Sequence, residues 1–284
     1  MAAYHRPLDL RTALDVLATE SVRIAAGCTD LFPATRAAAL PGPILDITAI
    51  PDLRGVSRVR DGWRIGAATT WADILHADLP AAFDGLKLAA AEVGAIQIQN
   101  AGTVAGNLCT ASPAADGVPC LMVLDAMVEL RTASGARALT LADFLTGART
   151  TALRDDEMVT AILIPEHAGR GRGTFLKLGA RKYLIISIAM VAARLDVVGG
   201  VIAEAAISVG ACSAVAVRLA ALEQRLTGSP VGAAADLISA DLVGPALSPI
   251  DDIRADAAYR KAAATELVRR AVATLAATPQ DHAA

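Results

Sequence analysis

Residues Ala26-Gly27-Cys28-Thr29-Asp30 follow directly on the apolar run Val22 to Ala25, and a second small-residue turn, Thr103-Val104-Ala105-Gly106-Asn107, stands far downstream. A strand that ends in a tight turn of Gly and Ala presents several backbone N–H groups in a concave nest, and such a nest binds phosphate oxygens without Lys or Arg. Small side chains let a ligand approach the main chain. Two such turns can close on one diphosphate from both sides. The hydroxyls of Thr29 and Thr103 and the amide of Asn107 add polar partners, and Asp116, nine residues past Asn107, can accept from ribose hydroxyls. Either turn alone reads more readily as punctuation between strands, because Gly and Ala are abundant here; the pair carries the constraint. No GxGxxG opens a helix and no GxxxxGK[ST] is present, so the usual dinucleotide fingerprint and the P-loop are both excluded.

The remaining pattern is mixed α+β and not a regular βαβ array. Thr12 to Leu17 has helical spacing, Val22 to Ala26 reads as a strand, and a helix is expected from Thr29-Asp30 toward Ala39, where Pro41-Gly42-Pro43 stops it. Ile44 to Ile47 is a short strand. Val56 to Val59 and Trp63 to Ala67 form a hairpin around Arg60-Asp61-Gly62, and Thr70-Trp71-Ala72-Asp73 opens a capped helix. Leu86 to Val93 is a helix, Val118 to Leu130 an apolar stretch ending in a strand, and Met158 to Ile164 a buried strand. The segment His167 to Gly173, with three glycines and two arginines, reads as a linker. Beyond it, Ile185 to Leu195 and Val201 to Val209 are neighbouring strands, and Val215 to Leu226 and Tyr259 to Leu275 are amphipathic helices. The expected division is 1–168 and 173–280.

The same residues carry a resemblance. Ala26 to Leu31 resembles an AGGTDL turn and Thr103 to Asn107 a T[VI]GGN turn of the FAD-binding medium subunits of molybdenum hydroxylases, the group of xanthine dehydrogenase and aerobic carbon monoxide dehydrogenase. It continues through Ile65 to Thr70, Ser112-Pro113-Ala114-Ala115-Asp116, Asp156 to Pro165 and Phe175 to Arg181, nearly end to end. The resemblance implies a two-part PCMH-type, vanillyl-alcohol-oxidase-like FAD-binding domain followed by a smaller α+β C-terminal domain. It assigns Ile24, Ala25, Ala26, Gly27, Cys28, Thr29, Asp30 and Leu31 to the first diphosphate turn, and Thr103, Ala105, Gly106 and Asn107 to the second. Asp116 matches the position facing the adenosine ribose, and Lys177 a lysine that lies toward the flavin. For Lys177 and Arg181 a surface or interdomain role stays open, and Asp30 also reads as a helix cap.

It further implies FAD on this chain, a large molybdenum-cofactor subunit and a small subunit with two [2Fe-2S] clusters as partners, assembly as a dimer of heterotrimers, and an external electron acceptor. No catalytic acid, base or metal ligand is expected here, because the redox chemistry belongs to the cofactor. Two alternatives from other classes are a stand-alone flavin oxidoreductase, which needs its own substrate pocket, and a flavin-free scaffold. Cys28 and Ala105 stand where the family has its second glycine, so each turn carries an added Cβ, at a cost of roughly 1 kcal/mol wherever positive φ is required. Tyr183-Leu184-Ile185-Ile186 departs where relatives place an acidic residue.

Composition narrows the classes. A formal net charge of −3 with dispersed basic residues argues against a nucleic-acid surface, and no uncharged apolar run reaches the length of a membrane span. The N-terminus, with His5, Arg6, Asp9 and Arg11, lacks a signal-peptide core, which points to the cytoplasm. Cys28, Cys109, Cys120 and Cys212 form no CxxC pair, so local spacing encodes neither zinc nor an iron–sulfur cluster.

Overall fold

The computed structural model describes residues 3–36, 40–181 and 185–277. The chain begins with a small parallel sheet made of β1 (Tyr4–His5), β2 (Arg23–Ala25) and β3 (Ile44–Asp46) in the order β1-β3-β2. Helix α1 (Leu10–Thr19) starts where the Asp9 carboxylate accepts from Thr12 N–H at 2.9 Å. Its apolar face, Ala13, Leu14 and Leu17, joins Leu45, Ile50 and Leu53 in a local core.

A five-stranded antiparallel sheet follows. In chain order its lobe contains β4 (Val56–Val59), β5 (Gly62–Gly66), α2 (Trp71–His76), α3 (Asp84–Glu92), α4 (Ile96–Ala101), α5 (Val104–Thr110), α6 (Gly117–Val123), β6 (Met127–Arg131), β7 (Ala136–Thr140), α7 (Leu141–Phe144), β8 (Leu145–Gly147), β9 (Thr150–Thr151) and β10 (Met158–Pro165). The strand order is β4-β5-β10-β6-β7, so the last strand inserts at the centre. That position explains why Met158 to Ala161 are buried without a break. Thr70 and Asp73 form the full capping box of α2, as their spacing predicts.

The C-terminal part comprises β11 (Arg172–Leu178), β12 (Ala189–Val198), β13 (Val201–Gly210), β14 (Val217–Arg218), α8 (Ala220–Leu226), α9 (Ala240–Val243) and α10 (Ala257–Ala277), with its sheet in the order β11-β12-β13-β14. Strand β12 is buried on both faces. Ala189, Val191, Ala193 and Leu195 pack with Val268, Val272 and Leu275 of α10, whereas Met190 and Ala192 belong to the core shared with α3 and α6. The two parts of the chain therefore share apolar packing.

Three expectations change. The helix expected from Thr29 toward Ala39 is a series of turns through Ala34, held by Phe32 N–H to Cys28 O and Ala34 N–H to Asp30 O, while 37–39 lie outside the described residues. The segment read as a linker is packed: a Cβ on Gly169 would meet Trp63 at 2.1 Å, on Gly171 the Leu195 carbonyl oxygen at 2.1 Å, and on Gly173 the Ala82 carbonyl oxygen at 2.3 Å. Its glycines serve close approach, not flexibility. The helix expected from Val215 begins only at Ala220, after the short strand β14.

Candidate functional site

The first turn leaves the sheet at β2, where Ile47 N–H donates to Ala25 O at 3.0 Å and Ala25 is buried. Among the described residues, the N–H groups of Gly27, Cys28, Thr29, Asp30 and Leu31 donate to nothing, so the turn offers a run of free amides. Gly27 is obligatory for contact: an added Cβ would sit 2.0 Å from Ala101 O and 2.8 Å from Gly102 Cα. The first turn thus abuts the backbone that leads into the second, and Thr29 Oγ1 lies 3.2 Å from where a Gly102 Cβ would stand. Cys28 has φ 57°, the left-handed region, and its Sγ donates to Ala26 O at 3.4 Å. Burial raises its thiol pKa, so it stays protonated.

The second turn is a helix start. Thr103 caps α5, its hydroxyl accepting Gly106 N–H at 3.0 Å, while Asn107 N–H donates to Thr103 O and Val104 N–H to Thr69 O. Of the residues assigned to the second turn, Gly106 and Asn107 therefore have their backbone amides used by the protein itself. Ala105 is buried in the first turn of α5, outside the positive-φ set, so its Cβ carries none of the strain expected of it. Asn107 supplies a different signal: its Oδ1 is buried and has no hydrogen-bond partner. A buried acceptor of this kind costs about 1–3 kcal/mol unless a ligand satisfies it.

Asp116 is buried, with Oδ2 accepting from Lys177 Nζ at 2.7 Å and Oδ1 from Ser187 Oγ at 3.0 Å. Burial raises its carboxyl pKa, and the Lys177 ammonium and the Ser187 hydroxyl work against that rise. Lys177 reaches it from β11, so the pair joins the two parts of the chain inside the site. Asp30 caps no helix; it pairs with Arg149 at 3.0 Å. Ser187 and Arg149 were invisible to sequence reasoning, since a serine before a strand and an arginine in a loop have no distinguishing spacing.

The two turns, Asp116, Lys177, Asp30 and Arg149 border one cleft of about 820 Å³, with Ser187 just behind its wall against Asp116. Of the residues assigned from sequence, Ile24, Ala26 through Leu31, Thr103, Ala105, Gly106, Asn107, Asp116 and Lys177 line it, and Ala25 does not. Ile185 and Ile186 line it too, while Tyr183 and Leu184 lie outside the described residues. The size suits a dinucleotide-scale ligand. Free amides, a glycine cradle and an orphaned amide oxygen fit a flavin dinucleotide. Among the described residues, no helix is long and apolar enough to cross a membrane.

Residues 1–167 match the family model of the FAD binding domain in molybdopterin dehydrogenase, and 174–275 that of the CO dehydrogenase flavoprotein C-terminal domain. The nicotine 6-hydroxylase medium subunit of Paenarthrobacter nicotinovorans is 30% identical over 95% of each chain. The glyceraldehyde dehydrogenase medium chain of Sulfolobus acidocaldarius is 30% identical over 95% of this chain and 96% of its own. The structure of reconstituted CO dehydrogenase from Oligotropha carboxidovorans superposes with TM-score 0.89 at 29% identity, covering 98% of this chain and 99% of that one.

Proposed function

The chain belongs to the family of FAD-binding medium subunits of molybdenum hydroxylases, the electron-transferring flavin subunits of these dehydrogenases, and on that premise we propose how its cleft holds the cofactor. The observation that carries the reading is the run of free amides from Gly27 to Leu31, pressed by Gly27 against the entrance to the second turn.

Bound FAD supplies redox chemistry that takes electrons from iron–sulfur clusters on a partner subunit and yields them to an external acceptor. The amides of the first turn bind the diphosphate oxygens, which need no side-chain cation when the main chain is this close. Thr29 adds a hydroxyl. Asn107 Oδ1 accepts a ligand hydroxyl and so loses its buried, unpaired state. Asp116 accepts from the ribose with whatever lone-pair capacity Lys177 and Ser187 leave. Lys177 keeps its ammonium at the cleft wall, held by Asp116. Residues 1–168 form the flavin domain and 173–280 the smaller domain, which closes the cleft with Lys177 of β11, Ile185 and Ile186. The large molybdenum-cofactor subunit and small iron–sulfur subunit are the partners, the assembly is a dimer of heterotrimers, and the location is cytoplasmic.

Asp116→Ala tests the site. FAD retention in the assembled complex should weaken about ten- to a hundredfold, the worth of a charge-assisted hydrogen bond. Unchanged affinity in a titration of the deflavinated complex removes Asp116 from the site.

A further inference from the structure

Among the described residues, the charged side chains lining the cleft are Asp30, Arg149, Asp116 and Lys177, and they form two ion pairs. The pairs differ in kind. Asp116 and Lys177 are each about 10% exposed, whereas the side chains of Arg149 and Asp30 are 58% and 56% exposed. An exposed pair of this sort has little net strength, so its members are free to exchange partners. Lys177 is committed; Arg149 is not.

Arg149 is also held in an unusual way. Its φ is 60°, a left-handed value uncommon for a side-chain-bearing residue. Its N–H donates to Ala111 O at 2.8 Å, and Ala111 is itself the left-handed C-cap of α5. The backbone of Arg149 is thereby tied to the end of α5, the helix that Thr103 caps, while Asp30 belongs to the free-amide turn. The ion pair links the two at the lining of the cleft. Only Nη1 of the guanidinium contacts Asp30, whereas a planar fork bonds an oxyanion through two nitrogens at once.

We propose that Arg149 is a diphosphate-binding residue of this cleft, and that Asp30 is a competing carboxylate that holds it until the diphosphate arrives. The inference rests on the flavin-cleft reading above and adds a cation to a site otherwise built from amides. A diphosphate can come from the cofactor or from a dinucleotide acceptor approaching the loaded cleft, and the chemistry at Arg149 is the same.

The test uses the complex with its partner subunits, as the natural chain, Arg149→Ala, Arg149→Lys and Asp30→Asn, with thermal melts to confirm that each is folded. Titration of the deflavinated complexes with FAD, at two salt concentrations, reads the cofactor source. Titration of the flavin-loaded complexes with ADP-ribose reads the acceptor source. For whichever source is real, Arg149→Ala should weaken binding about tenfold or more and flatten its salt dependence. Arg149→Lys should recover part of the loss. Asp30→Asn should tighten the same binding by a few-fold, because the competitor is gone. A simple structural brace predicts the reverse for Asp30→Asn, a loss parallel to that of Arg149→Ala, and that parallel loss overturns the proposal. Neither ligand responding to Arg149→Ala overturns it as well. If the natural complex itself takes up no FAD, the flavin reading fails instead, and the two failures are distinct.

Discussion

Cys28 holds φ at 57° in the free-amide turn, the position where the family turn carries glycine. A left-handed backbone costs a side-chain-bearing residue about 1 kcal/mol relative to glycine, so Cys28→Gly should stabilise the chain by up to that amount and bind FAD at least as tightly. Urea melts and flavin dissociation rates measure both. Ala105 predicts the opposite: it lies buried in α5, and Ala105→Gly should lose about 1 kcal/mol as a helical glycine. Sequence treats the two positions alike, since each replaces the same glycine of a motif; only the backbone separates them. The cleft-lining position of Asp116 was likewise legible from its motif. Its partners were not, because Lys177 and Ser187 reach it across 61 and 71 residues of chain.

Elements were readable where the signal is local. The β4–β5 hairpin and the capping box of α2 are written within a few residues and occur as expected. The failures share a cause in tertiary contact. Residues past Asp30 have the composition of a helix, yet the turn is shaped by the approach of Gly27 to Ala101. The glycines of 169–173 read as flexibility because sequence does not show Trp63, Leu195 and Ala82 pressed against them. Gly27→Ala should accordingly reduce stability and FAD retention together, since its methyl must displace backbone rather than side chain. A second element-level prediction concerns Glu157, which ties the β9–β10 connection to β7 through paired 2.7 Å hydrogen bonds from Arg137. Those hydrogen bonds hold its carboxyl below the usual carboxylate range. Its folded pKa is depressed, so the stabilisation is fully present above the unfolded value and is lost as pH falls through the folded one. Glu157→Gln should cost about 1.5–3 kcal/mol at neutral pH, and the gap from the natural chain should close on acidification. A gap that stays constant from pH 7 to pH 3 contradicts this.

At the scale of the molecule, the cleft depends on both parts of the chain. Strand β12 packs on α10 with one face and on α3 and α6 with the other, and Arg194, fully buried, donates to Val123 O at 2.9 Å and Arg170 O at 3.3 Å while pairing with Glu204. The C-terminal part therefore holds Lys177 and Ser187 in place against Asp116. On the reading proposed above, this cleft is the FAD site of a molybdenum hydroxylase. The most direct measurement is the flavin content of the complex purified with its partner subunits, read from the absorbance and fluorescence of the supernatant after acid precipitation. About one FAD should be released per copy of this chain, because no His or Cys occupies a recognisable covalent-attachment motif. A fully assembled, metal-loaded complex that releases no FAD, or flavin that stays with the denatured chain, contradicts it.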